Sequence, residues 1–497
     1  MTLSDLYLIS PEISTVILAC LVLLVGLAGS TKRYLGLLVI LGLFIPLIFS
    51  LFLWSDLDTG KLTSEGILAK TIVVDHLSIF FKLIIIGSIF TIVLISESYL
   101  RQTKDLESEY FALILFSGSG MMLLGSCTEL ITLYVALELT ALPLAALAAI
   151  IPVSKSAESG LKFLIISGVS SALLLYGMVL IYGFTGTTVF SEMGASIAEI
   201  GFSNGIPFGS YLLLLGVILM IAGFGFKIAA FPFHMWAPDV YEGAPTPITA
   251  FLSVASKTAG FAVILRFFYL AFPMTEISMD WSSLFAVIAA LSMTFGNLLA
   301  IAQTNIKRML AYSTIAHSGY IMVGIAAVSS SMDNQVGIEG PTGILFYLAG
   351  YAVTNLAAFS VVIAVSKGLD RYKINDFKGL ARKSPLIAIV LILSMMSLTG
   401  VPPTVGFMAK IYVFYSAVNA DLVWLAIVGG LNSVLSAYYY MRVVKVMVLE
   451  EPTNDQPVKP NLSLNLAFTL TSCSILFFGL YPAPIIEIAR QAASVLS

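Results

Sequence analysis

Apolar residues in this chain gather into fourteen long runs, near residues 10–29, 34–53, 77–97, 110–127, 129–151, 162–184, 211–233, 246–271, 281–302, 307–328, 342–366, 385–416, 422–449 and 462–486. Crossing a bilayer takes about 20 residues of helix, so each run predicts one transmembrane helix, numbered 1 to 14 in chain order. Run 12 extends over 32 residues, too many for one straight span, and Gly400-Val-Pro-Pro403 supplies a break inside it. The longest polar connections, near 54–75, 185–210 and 367–384, are too short to fold alone. The pattern predicts an all-α polytopic membrane protein with no soluble domain.

Two polar interruptions organise the rest. Lys227 lies inside run 7 with no acidic residue near it in sequence. A charge at the bilayer centre costs about 2.5–3.5 kcal/mol on insertion scales, which makes such a residue a functional candidate. Pro232 removes a backbone N–H and crowds the Ile228 carbonyl, so helix 7 is expected to break beside the lysine. A freed carbonyl at membrane depth needs protein or water as its donor. The device recurs: Gly223-Phe224-x-x-Lys227-Ile228 reappears as Gly406-Phe407-x-x-Lys410-Ile411, 183 residues on, and Gly160 and Phe163 match Gly343 and Phe346 at the same offset. Five spans separate the two lysines, and an odd number reverses direction. The copies therefore form an inverted repeat, helices 4–8 with helices 9–13, an architecture that places sites near the midplane on discontinuous helices. The organisation expected is a three-helix segment at 1–109, a first repeat at 110–271, a second at 272–449 and helix 14 within 450–497.

Composition agrees with the pattern. The chain is 59% hydrophobic and 11% charged with mean hydropathy +0.99, where a soluble domain carries about 25% charged residues. Sixteen lysines and arginines follow odd-numbered helices, against Lys61, Lys70 and Arg490 on the other side. By the positive-inside rule the basic loops are cytoplasmic (or stromal, or in the matrix) and both termini face outward. The first nine residues lack the basic segment of a cleavable signal peptide. A net charge of −3 gives no footing for a nucleic-acid partner. Cys20, Cys127 and Cys473 have no metal or haem spacing, and neither GxGxxG nor GxxxxGK[ST] occurs.

Five ionisable residues within the runs could carry chemistry. Glu138, mid-way along helix 5, is either a buried acid bonded to nearby backbone or the partner that holds Lys227 charged. Lys257, about two turns into helix 8, either snorkels to the surface or stays inside as part of a relay. His317, in Ser313-Thr-Ile-Ala-His-Ser318, is a relay or a satisfied structural histidine. Lys162 opens helix 6 as an interfacial anchor; His234 and Asp239 read as structural, Arg266 and Lys82 as weaker still. Together Glu138, Lys227, Lys257, His317 and Lys410 make a row of protonatable groups, which suits proton transfer better than a solute pocket would. A mere scaffold would gain stability by losing them. The repeat offset leads from Glu138 to Ile321, so Lys410 has no acidic partner in sequence. It is expected to be the terminal proton-loading site, releasing readily, with Lys257 and His317 linking it to a more persistently charged Lys227.

At these residues the chain resembles the antiporter-like membrane subunits of respiratory complex I. Phe231-Pro-Phe-His-Met-Trp-Ala-Pro-Asp-Val-Tyr-Glu-Gly-Ala-Pro245 is most similar to the N-type subunit of NADH–quinone oxidoreductase and its chloroplast and cyanobacterial counterparts. Gln303-Thr-Asn-Ile-Lys-Arg-Met-Leu-Ala-Tyr-Ser313 and Ala316-His-Ser-Gly-Tyr320 look like the same family's signature, and the likeness covers essentially the whole chain. L-type relatives add a long lateral helix after helix 14, and M-type relatives have glutamate where this chain has Lys410. The resemblance implies one proton channel driven by distant quinone reduction. It makes Glu138 the helix-5 glutamate, Lys162, Lys227 and Lys257 the lysines of helices 6, 7 and 8, His317 an axis histidine and Lys410 the helix-12 lysine. It implies no cofactor in this chain, with FMN, iron–sulfur clusters and quinone in partner subunits. The expected neighbours are K-like and M-like subunits and the lateral helix of an L-like subunit, in a bacterial inner or thylakoid membrane, with both termini outer or lumenal. The alternative is a subunit of a multisubunit cation/proton antiporter, which shares the fold but is disfavoured by Val240-Tyr-x-Gly243.

Overall fold

The computed structural model describes residues 3–27, 34–62, 66–67, 70–99, 106–200, 208–272, 276–327, 336–366, 372–452 and 457–496. Lys32, Arg33, Arg101, Lys104, Lys367 and Arg371, which count toward orientation, lie outside these residues. All fourteen runs form helix. Helices 1 to 6 are Ser10–Leu27, Leu35–Gly42 with Phe44–Asp58, His76–Tyr99, Glu107–Ser126, Leu130–Ala148 and Ser154–Thr185. Helix 7 is Phe208–Lys227 and Trp236–Gly243, and helix 8 runs over Thr246–Ala271. Helices 9 to 11 are Glu276–Ile301, Ile306–Ala326 and Val336–Ser366. Helix 12 is Pro385–Thr399 and Val405–Asn419, helix 13 is Val423–Leu449 and helix 14 is Leu462–Leu480.

Eleven of the described helices are long and apolar enough to cross a membrane. The apolar part of helix 7, Tyr211–Lys227, and the two 15-residue pieces of helix 12 are too short individually, and Asn432 and the tyrosines 438–440 dilute the apolar character of helix 13. Two boundaries differ from the sequence pattern. Helix 6 begins at Ser154 rather than 162, because its polar first turns are helical although they are not apolar. Run 14 stops at Leu480, and Pro482 and Pro484 start a separate amphipathic helix, Ala483–Ala493.

Helices 8, 10 and 11 form the centre: 100%, 94% and 94% of their apolar windows are buried within the chain, so lipid touches them hardly at all. Around them, small residues bring backbones together, as lipid offers no hydrophobic drive for helix pairing. A Cβ at Gly177 of helix 6 would stand 2.9 Å from the Gly216 carbonyl of helix 7. One at Gly296 of helix 9 would stand 2.6 Å from the Ala316 nitrogen of helix 10.

Phe163 and Phe346, matched at the repeat offset, each pack on an aromatic ring of the broken helix beside them. Phe163 of helix 6 meets Phe226 of helix 7 with ring centroids 6.1 Å apart, and Phe346 of helix 11 meets Tyr412 of helix 12 at 5.7 Å. Lys155 and Ser159 line a cavity of about 200 Å³ at the start of helix 6; Ile338 and Thr342, at the repeat offset, line one of about 330 Å³ at the start of helix 11. The breaks themselves fall on opposite sides of the two lysines. Helix 7 stops at Lys227, and Ala229 takes a positive φ of 54°. Helix 12 stops at Thr399, Gly400 turns the chain at φ 89°, and Lys410 comes in the second turn of the new half-helix. Sequence order explains this, since Pro232 follows its lysine whereas Pro402 and Pro403 precede theirs.

Candidate proton-transfer site

Lys227, Lys257, His317 and Lys410 are only 7%, 2%, 4% and 5% exposed. Lys227 closes its half-helix against helix 8, where a Cβ at Gly260 would lie 3.3 Å from the Lys227 Cγ. Its Nζ has no hydrogen-bond partner among the described residues. The expected contact with Glu138 is not made. Glu138 is half-buried, and its Oε1 accepts from Ser171 Oγ of helix 6 at 2.5 Å. A cavity of about 20 Å³, room for one water, lies at Lys227 and is lined also by Tyr134, Ser167, Ser170 and Ser171, so the hydroxyl that bonds Glu138 borders the same space as the lysine.

The break in helix 7 is satisfied from helix 10. Ser318 Oγ donates to the Ile228 carbonyl at 2.7 Å, the carbonyl that Pro232 deprives of its usual donor. Trp236 Nε1 donates to the Phe226 carbonyl at 3.1 Å. Ser318 also accepts from Lys257 Nζ at 2.9 Å, and Lys257 donates to the Thr314 carbonyl at 2.7 Å. Lys257 therefore points inward and does not snorkel. It follows directly on a π-helical turn, Leu252–Ser256, a feature found mostly at functional sites and one that no sequence periodicity announces. His317 Nδ1 is 2.7 Å from the Tyr347 hydroxyl and its Nε2 is 3.2 Å from that of Tyr440, which in turn bonds Ser313. Hydroxyls donate and accept alike, so either imidazole nitrogen can carry the proton.

Among the described residues Lys410 has no acidic contact, but it is not without partners. Its Nζ donates to the Leu398 carbonyl at 3.1 Å and the Thr399 carbonyl at 2.8 Å, and lies 4.5 Å from the centroid of the Tyr320 ring. Those carbonyls end the first half of helix 12, where the helix dipole is negative.

Lys162 stands apart from the buried row. Its side chain is 41% exposed and pairs with Glu158 at 2.8 Å and Asp239 at 3.0 Å. Arg308 joins Asp239 at 2.8 Å and Glu242 at 3.0 Å, and the group borders the 200 Å³ cavity. Partial burial raises the Asp239 carboxyl, but the hydrogen bonds from Lys162 and Arg308 outweigh it and hold the group below the usual carboxylate range. Arg266 and Lys82 form buried ion pairs with Asp75, at 2.8 Å, and Glu12, at 2.8 Å. His234 stacks on Phe231 with centroids 5.4 Å apart, a packing role. Tyr347 and Tyr440 escape sequence reasoning because nothing local marks two of 21 tyrosines. Ser318 could have been found from its place beside His317. Among the described residues no group of three or more His, Cys, Asp and Glu is placed to hold a metal ion, and the three cysteines are free. No ligand set among them fits an iron–sulfur cluster.

Discontinuous helices in inverted repeats, carrying a buried row of amines, define the antiporter-like class of polytopic membrane proteins. The chain belongs to the NADH:quinone oxidoreductase/Mrp antiporter family, whose transmembrane model matches residues 127–436, and within it to the family of NADH-quinone oxidoreductase subunit N. A protein of that name from Dehalococcoides mccartyi is 40% identical over 496 residues, covering 99% of each chain. One from Rhodospirillum rubrum is 38% identical, covering 98% of this chain and 96% of its own. A chain of respiratory complex I from Thermus thermophilus with bound aureothin superposes with a TM-score of 0.77 at 29% identity, covering 96% of this chain and 98% of that one. A chain of the Mrp complex from Dietzia sp. DQ12-45-1b gives 0.84 at 20% identity, covering 100% and 98%, a likeness of fold alone.

Proposed function

We propose that this chain carries protons across the membrane as the N-type subunit of an NADH:quinone oxidoreductase complex, a proton translocase, and holds no redox centre itself. One observation carries the reading. Two broken helices bring Lys227 against helix 8 and Lys410 against helix 10, the helices that carry Lys257 and His317, and among the described residues no amine in the row touches a carboxylate. Groups so held can change charge without leaving an unpaired buried carboxylate.

A proton taken up at the basic face meets the Lys162–Asp239–Arg308 cluster and passes to Lys227, whose charge Glu138 supports from behind the Ser171 hydroxyl that borders the Lys227 cavity. Charge on Lys227 repels a proton held on Lys257. The proton moves by way of His317, with the Tyr347 and Tyr440 hydroxyls as donors and acceptors, to Lys410. From Lys410 it leaves toward the cavity at Thr342. FMN, iron–sulfur clusters and quinone supply the electron-transfer chemistry in partner subunits. The membrane arm would place K-like and M-like neighbours and the lateral helix of an L-like subunit beside it, in a bacterial inner or thylakoid membrane with both termini on the outer or lumenal side. The first repeat, 110–271, would serve uptake and the second, 272–449, release; 1–109 and 450–497 would frame them.

The test is to purify the assembly from membranes, identify its partners by mass spectrometry, and follow acidification of vesicles during quinone reduction. Lys257→Met is expected to leave the assembly intact and remove this chain's share of protons moved per electron. Partners without a quinone-reducing module would instead favour the cation/proton antiporter.

A further inference from the structure

A lysine inside a membrane usually has a carboxylate, and Lys410 has a ring instead. The Tyr320 centroid lies 4.5 Å from Lys410 Nζ. The ring is held in place at several points. Its hydroxyl accepts from Asn297 Nδ2 at 3.2 Å, and Phe414 meets it edge-on with centroids 6.2 Å apart. Asn297 is 0% exposed, and it too is fixed: the Tyr439 hydroxyl donates to its Oδ1 at 2.9 Å, and its Nδ2 reaches the Asn432 Oδ1 at 3.2 Å. Helices 9, 10 and 13 thus commit buried polar side chains to one small cluster. Such a cluster is costly unless it is satisfied, and once satisfied it specifies one arrangement. The arrangement specified here puts a π face under an ammonium.

We infer that Tyr320 is the counter-group that holds the ammonium form of Lys410, and that Asn297 is the positioning residue that keeps the ring face beneath it. The inference rests on the proposed proton-carrying role of Lys410. At a desolvated site, cation–π attraction favours the charged form by about thirty-fold. The two carbonyls at the helix end supply the rest of the stabilisation. The elements packed against this half-helix bring these other titratable groups: Tyr312 and His317 on helix 10, Tyr347 and Tyr351 on helix 11, Tyr438, Tyr439 and Tyr440 on helix 13, Cys473 on helix 14, and Glu339, Lys307, Arg308, Arg442 and Lys445 at helix ends. Among the described residues none of them is an acid in contact with Lys410.

The test measures proton flux per electron against pH in vesicles holding the intact complex. Loading of Lys410 fails at high pH, so weakening its charged form moves the alkaline limb of the profile downward. Tyr320→Leu, which removes the ring, is expected to move that limb by about 1.5 pH units, thirty-fold in proton activity. Tyr320→Phe and Asn297→Ala remove the same hydrogen bond, so each should give a smaller shift and the pair should not add. Because Tyr320→Leu can disturb packing, phenylalanines bearing one, two and three fluorines are also installed at position 320. They keep the ring's size while draining its π face, and the limb should move stepwise with each fluorine. An unmoved limb across the fluorine series, whatever the amplitude, overturns the inference. Full flux in Lys410→Met would instead overturn the role of Lys410 itself.

Discussion

The three lysines of the buried row meet three different things, and that difference separates their tasks. Lys227 faces a cavity the size of one water, Lys257 a carbonyl and a hydroxyl, and Lys410 the end of a helix and a ring. A proton carrier must bind and release, which arginine cannot do because it never loses its proton. Lys410→Arg keeps charge and bulk, and Lys410→Met keeps bulk alone; both are expected to assemble normally and to lose pumping. An arginine variant with wild-type flux per electron would rule out release from this residue. Glu138 gives a second comparison. Glu138→Gln still accepts from Ser171, which borders the Lys227 cavity, but carries no charge to support the ammonium, so pumping should fall to the level of Lys227→Met with assembly unchanged. Intact pumping in that variant would mean that the two residues are not electrically linked.

Among elements, the two broken helices are what Lys227 and Lys410 depend on, and the break in helix 7 is held from outside. The Ile228 carbonyl depends on Ser318, 90 residues away, which also receives Lys257. Ser318→Ala orphans a buried carbonyl, at a cost of about 1–3 kcal/mol. A lower melting temperature of the purified complex together with slower pumping is expected; unchanged melting would show that water replaces the hydroxyl. The cluster joining helix 6, the second half of helix 7 and helix 10 behaves differently toward pH. The folded protein holds Asp239 below the usual range, so its contribution is present above the ordinary aspartate value and is lost as pH falls through the lowered one. Asp239→Asn should therefore destabilise the complex equally at pH 6 and pH 8, with the difference shrinking only below about pH 4, where aspartate itself becomes protonated. A gap that closed between pH 8 and pH 6 would show that the group titrates where this geometry says it does not.

At the scale of the whole molecule, what could be read in advance was local. Run length marks the fourteen spans, proline and glycine mark the two breaks, and a lysine amid apolar residues marks itself. The contacts that assemble these parts join residues far apart, and no local pattern carries them. Arg266 reads as a minor residue near the end of helix 8, and Asp75 as one acid in a polar connection, yet 191 residues apart they make a two-pronged ion pair with both N···O distances at 2.8 Å. Both are 1% exposed, and Arg266 Nε also donates to the Gly125 carbonyl at 3.1 Å. The pair thus ties the start of helix 3, in the N-terminal segment, to helices 4 and 8 of the first repeat. Removing one partner of a buried pair costs about 3–5 kcal/mol, chiefly because the other charge is left stranded. Arg266→Met should therefore lower the thermal stability and yield of the assembled complex sharply. Asp75 has a second task, accepting from the Ser78 N–H at 2.7 Å at the head of helix 3, so its neutral substitute must still accept. Asp75→Asn meets that need and removes the stranded charge. The double variant, Asp75→Asn with Arg266→Met, should recover most of the stability that Arg266→Met loses, while pumping per assembled complex stays near wild type in both. A double variant as unstable as Arg266→Met alone would place the cost in the lost Gly125 contact and the packing of the arginine stem, and the tie between segment and repeat would then not be electrostatic.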